Sequence, residues 1–180
     1  MSVCIALIRG INVGKANRIA MTDLKGLIAD LGHTDVRTLL NSGNAVFRSK
    51  RPNVAKISSG IQTAIVRNCG FSVSVMVVTA ETLDHIIAEN PMLHVAKDPA
   101  RHLVAFVADA KHLGPLRALQ EETWTPDALA LTQRAAYLWC STGLLESKMS
   151  QAFTRKAGAT ITTRNWATVL KLQAAAKEAT

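Results

Sequence analysis

The sequence predicts an α+β protein made of two copies of one βαββαβ unit, and three observations carry that expectation. The first is the run Val3 to Ile8, apolar at every position. A strand with two apolar faces belongs in the interior of a sheet that is covered on both sides. The second is the order of patterns up to residue 80: strand, helix, two short strands around a turn, helix, strand. The third is the return of that order after a proline-punctuated connection, Asn90-Pro91 to Asp98-Pro99. Strand, helix, two strands, helix, strand is the split βαβ, or ferredoxin-like, arrangement. The expected fold is therefore a duplicated ferredoxin-like protein, with halves 1–80 and 101–180 connected by 81–100 and packed as one protein.

Each element has its own warrant. Leu24, Leu27, Ile28 and Leu31 recur at helical spacing, with Thr22 or Asp23 as the cap at the start and Gly32 at the end. Val36 to Leu40 and Ala45 to Arg48 are β-rich, and Asn41-Ser42-Gly43-Asn44 between them is a cluster of turn formers, which makes a hairpin. Val54 to Cys69 carries Ile57, Ile61 and Ile65 on one helical face, Gly70 closes it, and Phe71 to Val78 is the next strand. Thr82 to Glu89 reads as a short helix. In the second half His102 to Ala108 is a strand, Leu113 to Glu122 a helix, and Ala128 to Thr132 and Ala136 to Cys140 are paired strands. Ser147 to Ala157 is a helix, Thr160 to Thr162 a short strand, and Arg164 to Lys177 a long final helix.

Composition narrows the function classes. In 180 residues, 21 Lys and Arg face 13 Asp and Glu, a net charge of +8 that favours acidic partners such as phosphates or nucleic acid. The cations are spread along the chain with no basic tail, as on a solvated surface. Aromatic residues make up only 4% of the chain, which counts against a single-strand nucleic-acid binder built on stacking platforms. Cys4, Cys69 and Cys140 are far apart and odd in number, so reduced thiols in a cytoplasmic protein are expected and neither a disulfide framework nor a zinc set is. The run Val3 to Ile8 is too short for a secretory signal and lacks a basic leader. Charges interrupt every apolar segment well short of the ~20 residues a membrane span needs.

A right-handed crossover makes the first and second strands of such a unit parallel, with the third antiparallel between them. The loop leaving the first strand, with Arg9, Asn12, Gly14 and Asn17, must then emerge at the same end as the turn Ser42-Gly43-Asn44. Two loops of glycines, amides and cations thus converge, which suits a binding site. The nucleotide P-loop is excluded: three residues, not four, separate Gly10 from Gly14, and Ala16 stands where the motif needs Ser or Thr.

Three motifs, Arg9-Gly10-Ile11-Asn12-Val13-Gly14, Ser42-Gly43-Asn44 and Thr163-Arg164-Asn165-Trp166 followed by Thr168, Val169 and Lys171, resemble the domain-of-unknown-function family 1697, small bacterial proteins of uncharacterised role. The resemblance implies a duplicated ferredoxin-like fold, with residues 1–180 as a single family domain, and it implies no activity. The family usually has a glycine where this chain has Lys15 and an asparagine where it has Ala167.

In the final helix Arg164, Thr168 and Lys171 fall at i, i+4 and i+7, which puts two cations and a hydroxyl on one face. Helix-start amides beside Arg164 and Asn165 make an anion site by dipole and hydrogen bonding together, while Thr163 reads equally as a plain cap. No nucleophile, base or metal set emerges: the five histidines are scattered, and Ser42 lacks the elbow of a hydrolase. The candidate ligand contacts are Arg9, Asn12, Gly14, Asn17, Ser42, Gly43, Asn44, Arg164, Asn165, Thr168 and Lys171. They are rich in cations and amides and free of carboxylates, which fits holding an anion better than moving a proton. The leading expectation is a binding module for a small phosphorylated or nucleotide-like ligand. The alternatives are an enzyme using Arg9 or Arg164 as an electrophilic clamp, and nucleic-acid binding through a basic surface. The residues specify no cofactor, no metal and no oligomeric state.

Overall fold

A computed structural model describes residues 1–14, 16–50 and 52–179. The chain divides into two compact units, Met1–Asp84 with Lys171–Thr180, and His85–Leu170. Each contains one four-stranded antiparallel sheet with ferredoxin-like strand order.

In the first unit the elements are β1 (Ser2–Arg9), α1 (Met21–Asp30), β2 (Thr34–Leu39), β3 (Asn44–Ser49), α2 (Val54–Cys69) and β4 (Ser74–Thr79), followed by the start of α3 (Ala80–Ala88). The sheet order is β2-β3-β1-β4, so the apolar run lies in an interior strand as expected, and Val3 to Ile8 are all buried. β3 runs antiparallel to both β1 and β2, which makes those two parallel. Alternation along the strands sends Cys4, Ala6, Ile8, Ala45, Phe47, Val75 and Val77 to one face, where Leu24 and Ile28 of α1 and Ile57, Ile61 and Ile65 of α2 pack on them. At roughly 25 cal/mol per Å² of apolar surface, this burial is the main term holding the helices to the sheet.

α2 begins at Asn53, whose side chain accepts from the Lys56 amide, and ends at Gly70 in the left-handed region (φ 76°). α1 departs from expectation at its start: Thr22 and Asp23 lie inside the first turn, and Ala20 occupies the N-cap position without any side-chain acceptor. The strand predicted from Phe71 begins only at Ser74. β2 forms the rim of the sheet, and its register with β3 slips between Thr34 and Arg37, around Asp35 at φ 53°. Arg37 forms a 2.9 Å ion pair with Glu178.

The second unit runs from the remainder of α3 through β5 (His102–Val107), a 3₁₀ stretch (Ala110–Leu116), α4 (Arg117–Gln120), β6 (Ala128–Leu131), β7 (Ala135–Trp139), α5 (Lys148–Ala157) and β8 (Ile161–Asn165) into α6 (Trp166–Glu178). Its order, β6-β7-β5-β8, repeats that of the first unit. Leu113, Leu116, Met149 and Phe153 cover one face of this sheet. The helix predicted over 113–122 is instead a 3₁₀ stretch with a short α turn, because Gly114 and Pro115 interrupt it. β8 is longer than predicted and includes Arg164 and Asn165, which pair with Val104 and Leu103, so α6 starts at Trp166.

The loop after β7 is tied to α5 by Asp127, which accepts from the Ser141 amide (2.8 Å), the Ser141 hydroxyl (2.7 Å) and the Ser147 hydroxyl (2.6 Å). Burial pulls the Asp127 carboxyl upward, but the hydrogen bonds from Ser147 and Ser141 outweigh it and hold its pKa below the ordinary carboxylate range. Among the described residues no helix is long and apolar enough to cross a membrane.

Candidate functional site

The connection from β1 to α1 spans residues 10–20, whereas 108 and 109 alone link β5 to the next helical stretch in the second unit. Such a long connection in one copy of a repeated unit is an elaboration, and elaborated loops on a rigid scaffold are where binding residues concentrate. Four of its residues hold positive φ: Gly10 (83°), Asn12 (55°), Gly14 (61°) and Asn17 (51°). Glycine and asparagine adopt that conformation most readily.

Side chains fold the loop onto itself. The Asn12 amide donates to Ile19 O (2.9 Å) and to Asn41 O (3.0 Å), and its oxygen accepts from Ile19 N (3.0 Å). Asn17 donates to Gly10 O (3.0 Å) and Arg18 to Gly14 O (2.6 Å). Asn12 thus clamps the loop and ties it to the hairpin turn, and both emerge at one end of the sheet. Asn12→Ala is expected to cost about 3 kcal/mol in urea unfolding, from three lost hydrogen bonds and an alanine at positive φ. A loss below about 1 kcal/mol would show that the loop holds without it.

The turn is equally constrained. Gly43 O accepts from Ile8 N at 2.7 Å, and a Cβ on Gly43 would lie 2.8 Å from Ile8 O. Asn44 is fully buried and donates to Leu39 O (3.1 Å) and to the exposed Ser42 hydroxyl (3.0 Å). Arg9 is exposed at the end of β1, paired in register with Ser74. Lys15 lies outside the described residues.

Asn12, Arg18, Ile19, Ala20, Met21 and Asn41 line a cleft of about 380 Å³ where the loop, the turn and the start of α1 meet. The first amides of a helix have no intrahelical partner and carry the positive end of its dipole. Ala20 supplies no side-chain acceptor to those amides, Met21 is the α1 residue in the cleft lining, and the Arg18 guanidinium donates to Gly14 O. The lining contains no acid, histidine, serine or cysteine, and residues 9–20 and 40–44 include no Asp or Glu. Arg18 is the member that sequence spacing missed. The available signal was an arginine just ahead of a helix start with no polar cap.

A larger depression of about 670 Å³ lies between α1 and α2, with Asp30, Lys56, Ser59, Gly60, Thr63 and Arg67 among its lining residues. Its charges are mixed and it includes none of the loop residues. We take the smaller cleft as the candidate site, because its lining contains Arg18, two asparagines and no acid.

Arg164, Asn165 and Thr168 belong to the second unit, and Lys171 to the part of α6 grouped with the first. Arg164 lies in β8 and not on the helix, so the expected face of Arg164, Thr168 and Lys171 does not form; Thr168 is buried and Lys171 exposed. Asn165, not Thr163, caps α6, accepting from Thr168 N at 2.9 Å. Burial lowers the Arg164 pKa to about 10, which leaves it cationic at neutral pH. Ala167 donates its amide to Pro99 O at 3.4 Å.

Sequence reasoning also passed over His102, which is 1% exposed and stacks on Trp166 with ring centroids 5.1 Å apart. Asn90 turns its oxygen to Met92 N (3.0 Å) and its amide nitrogen to His102 Nε2 (3.4 Å). Nε2 therefore accepts and the ring proton sits on Nδ1, which has no partner among the described residues. Burial lowers the His102 pKa to about 4, so the ring is neutral at pH 7. Burial likewise raises the thiol pKa of Cys4 and of Cys140. Among the described residues no group of three or more His, Cys, Asp or Glu is placed to hold a metal ion.

The family described as protein of unknown function (DUF1697) matches residues 1–137. That span includes the first two motifs and stops short of Thr163 to Trp166. The solved structure of conserved bacterial protein SP0830 from Streptococcus pneumoniae is similar over 97% of this chain and 98% of that chain, with a TM-score of 0.74 and 21% identity. At that identity the likeness speaks for the fold alone. No curated protein matches the chain.

Proposed function

The chain belongs to the DUF1697 family, and we propose that it is a binding module for a small anionic ligand, phosphorylated or nucleotide-like, seated in the cleft at the start of α1. The observation that carries this reading is the cleft itself: an elaborated loop, a helix start without a side-chain cap and Arg18 meet there, and none of the lining residues is acidic, although Asp23 follows in the first turn of α1. Phosphate oxygens are matched by main-chain amides and by a planar guanidinium, each hydrogen bond assisted by charge. Asn12, Asn17 and Gly43 act in this reading through the shape they impose, and Arg9 adds positive potential at the same end of the sheet. The cleft lining offers no proton acceptor of the kind a general base requires, which favours binding over catalysis. The reading rests on the first unit and does not call on Arg164, Asn165 or Thr168.

Nucleic-acid binding through stacked bases finds less support, because none of the Phe, Tyr or Trp side chains is exposed.

The test is a thermal-shift screen against pyrophosphate, sugar phosphates and nucleotides, followed by calorimetric titration of whatever raises the melting temperature. A ligand at a hundred times its Kd adds about 2.7 kcal/mol to stability. Arg18→Ala is expected to weaken binding by roughly tenfold or more while leaving the free protein's melting temperature near its original value, since the side chain is exposed. The reading fails if no phosphate compound binds, or if Arg18→Ala binds as tightly as the parent.

A further inference from the structure

We propose that the second unit docks on anionic lipid surfaces through one patch, where Leu144 and Leu145 enter the headgroup region and Lys148 and Arg155 of α5 meet lipid phosphates. The inference is independent of the cleft in the first unit. Leu145 is 86% exposed and Leu144 46% exposed. A single exposed leucine is ordinary. Two in succession on a fixed loop make an apolar tip. The loop is fixed because Asp127 holds Ser141 at one end and Ser147 at the other, and Ser147 N donates to Gly143 O at 3.1 Å. Those hydrogen bonds hold the leucines out in water, and Leu145 gains no burial in return.

Helical geometry sets cations beside this tip. Met149, Ser150, Phe153 and Ala157 form the buried side of α5. At about 3.6 residues per turn, Lys148, Gln151 and Arg155 share the opposite stripe, and all three are exposed. Gln151 Nε2 donates to Leu145 O at 2.7 Å, which places the leucine main chain against the middle of that stripe. Neither Lys148 nor Arg155 forms an ion pair among the described residues. Glu146 is the one acid in residues 141–160, against Lys148, Arg155 and Lys156.

The occupant must therefore be anionic and must accept aliphatic side chains. A second copy meeting this face across a two-fold axis would bring the cationic stripe against itself. Protein partners anchor mainly on Trp, Tyr and Arg, with leucine under-represented, and the patch has no exposed aromatic ring. A bilayer offers phosphates above acyl chains, and leucine next to Lys and Arg is the combination that interfacial segments use.

The experiment is co-sedimentation of the full chain with vesicles of phosphatidylcholine alone and of phosphatidylcholine mixed with phosphatidylglycerol, at low and high salt. Sedimentation is expected with the mixed vesicles only, and salt should weaken it. Lys148→Ala combined with Arg155→Ala should weaken it by roughly tenfold or more, and Leu145→Ser by about fivefold. Glu146→Lys should tighten it by about fivefold, because an attracted charge replaces a repelled one. All four side chains are exposed, so these variants should melt with the parent, which keeps the test clear of misfolding. Lys97→Ala removes a cation outside α5 and should change binding by less than about twofold. Equal weakening by Lys97→Ala would show diffuse attraction to a chain of net charge +8 and would overturn the patch. Binding that ignores Leu145→Ser or Glu146→Lys overturns it too, as does equal sedimentation with both kinds of vesicle. Sedimentation with neither overturns the lipid assignment in favour of an acidic protein.

Discussion

Gly43→Ala is expected to lower the unfolding free energy by about 3 kcal/mol, a loss as large as that of Asn12→Ala. Two penalties combine. Gly43 sits at φ 80°, where an L-residue costs about 1–2 kcal/mol. Its Cβ would also meet Ile8 O at 2.8 Å and Ile11 Cδ1 at 2.9 Å. The isoleucine tip can move, but the carbonyl belongs to an interior strand and cannot. The turn must then retreat, which strains or breaks the 2.7 Å bond from Ile8 N to Gly43 O, worth about 1 kcal/mol. Gly10→Ala provides the control: Gly10 has φ 83°, but a methyl group there would meet nothing within 4 Å, so only the conformational cost of about 1 kcal/mol applies. Equal losses for the two variants in urea unfolding would show that the close approach to Ile8 is not what constrains the turn.

Acidification should remove about 3 kcal/mol of stability between pH 6.5 and about 4, through His102. The native ring titrates near 4 and an unfolded histidine near 6.5, so within that window the unfolded chain binds a proton that the native one does not. Stability is fully present above the unfolded value and falls as the pH drops toward the folded one, at about 1.4 kcal/mol per pH unit. Burial is the cause: the ring is 1% exposed, and losing water costs its charged form more than the neighbouring Asn90 amide and the stacked Trp166 ring return. His33, whose pKa burial also lowers, acts with the same sign, and Asp127 contributes only as its carboxyl protonates at lower pH. His102→Phe retains a ring against Trp166 without a titrating group and should flatten the slope between pH 6.5 and 5. A parent protein whose urea midpoint does not change over that interval would contradict the buried neutral ring.

The elements that were legible in the sequence are those whose signal is local. Ile57, Ile61 and Ile65 at helical spacing, followed by Gly70, fix α2 at Val54–Cys69, and the unbroken apolar run fixes β1 as an interior strand. Asn12 and Asn17 could be read as loop formers because positive φ suits asparagine in any context. Arg164 and Asn165 misled because their spacing to Thr168 and Lys171 is helical, whereas pairing with Val104 and Leu103 draws them into β8. Tertiary hydrogen bonds override a local periodicity there. The role of Gly43 was hidden for a related reason, since its neighbour Ile8 is 35 positions away by their numbers and is brought close only by the sheet. Arg18 joined the candidate residues only through the fold, which puts it in the cleft lining with Ala20 and Met21 at the start of α1.

The irregularity in β2 bears on how this molecule behaves among its neighbours. A rim strand with regular extended backbone offers a ladder of donors and acceptors to any other chain, and uncontrolled growth of sheets begins there. In β2 the slipped register around Asp35 puts that ladder out of step, and Arg37 and Asp35 place charges of both signs along it. An incoming strand would have to leave main-chain groups unmatched and desolvate those charges in order to dock. This edge of the sheet is thereby made a poor template for aggregation.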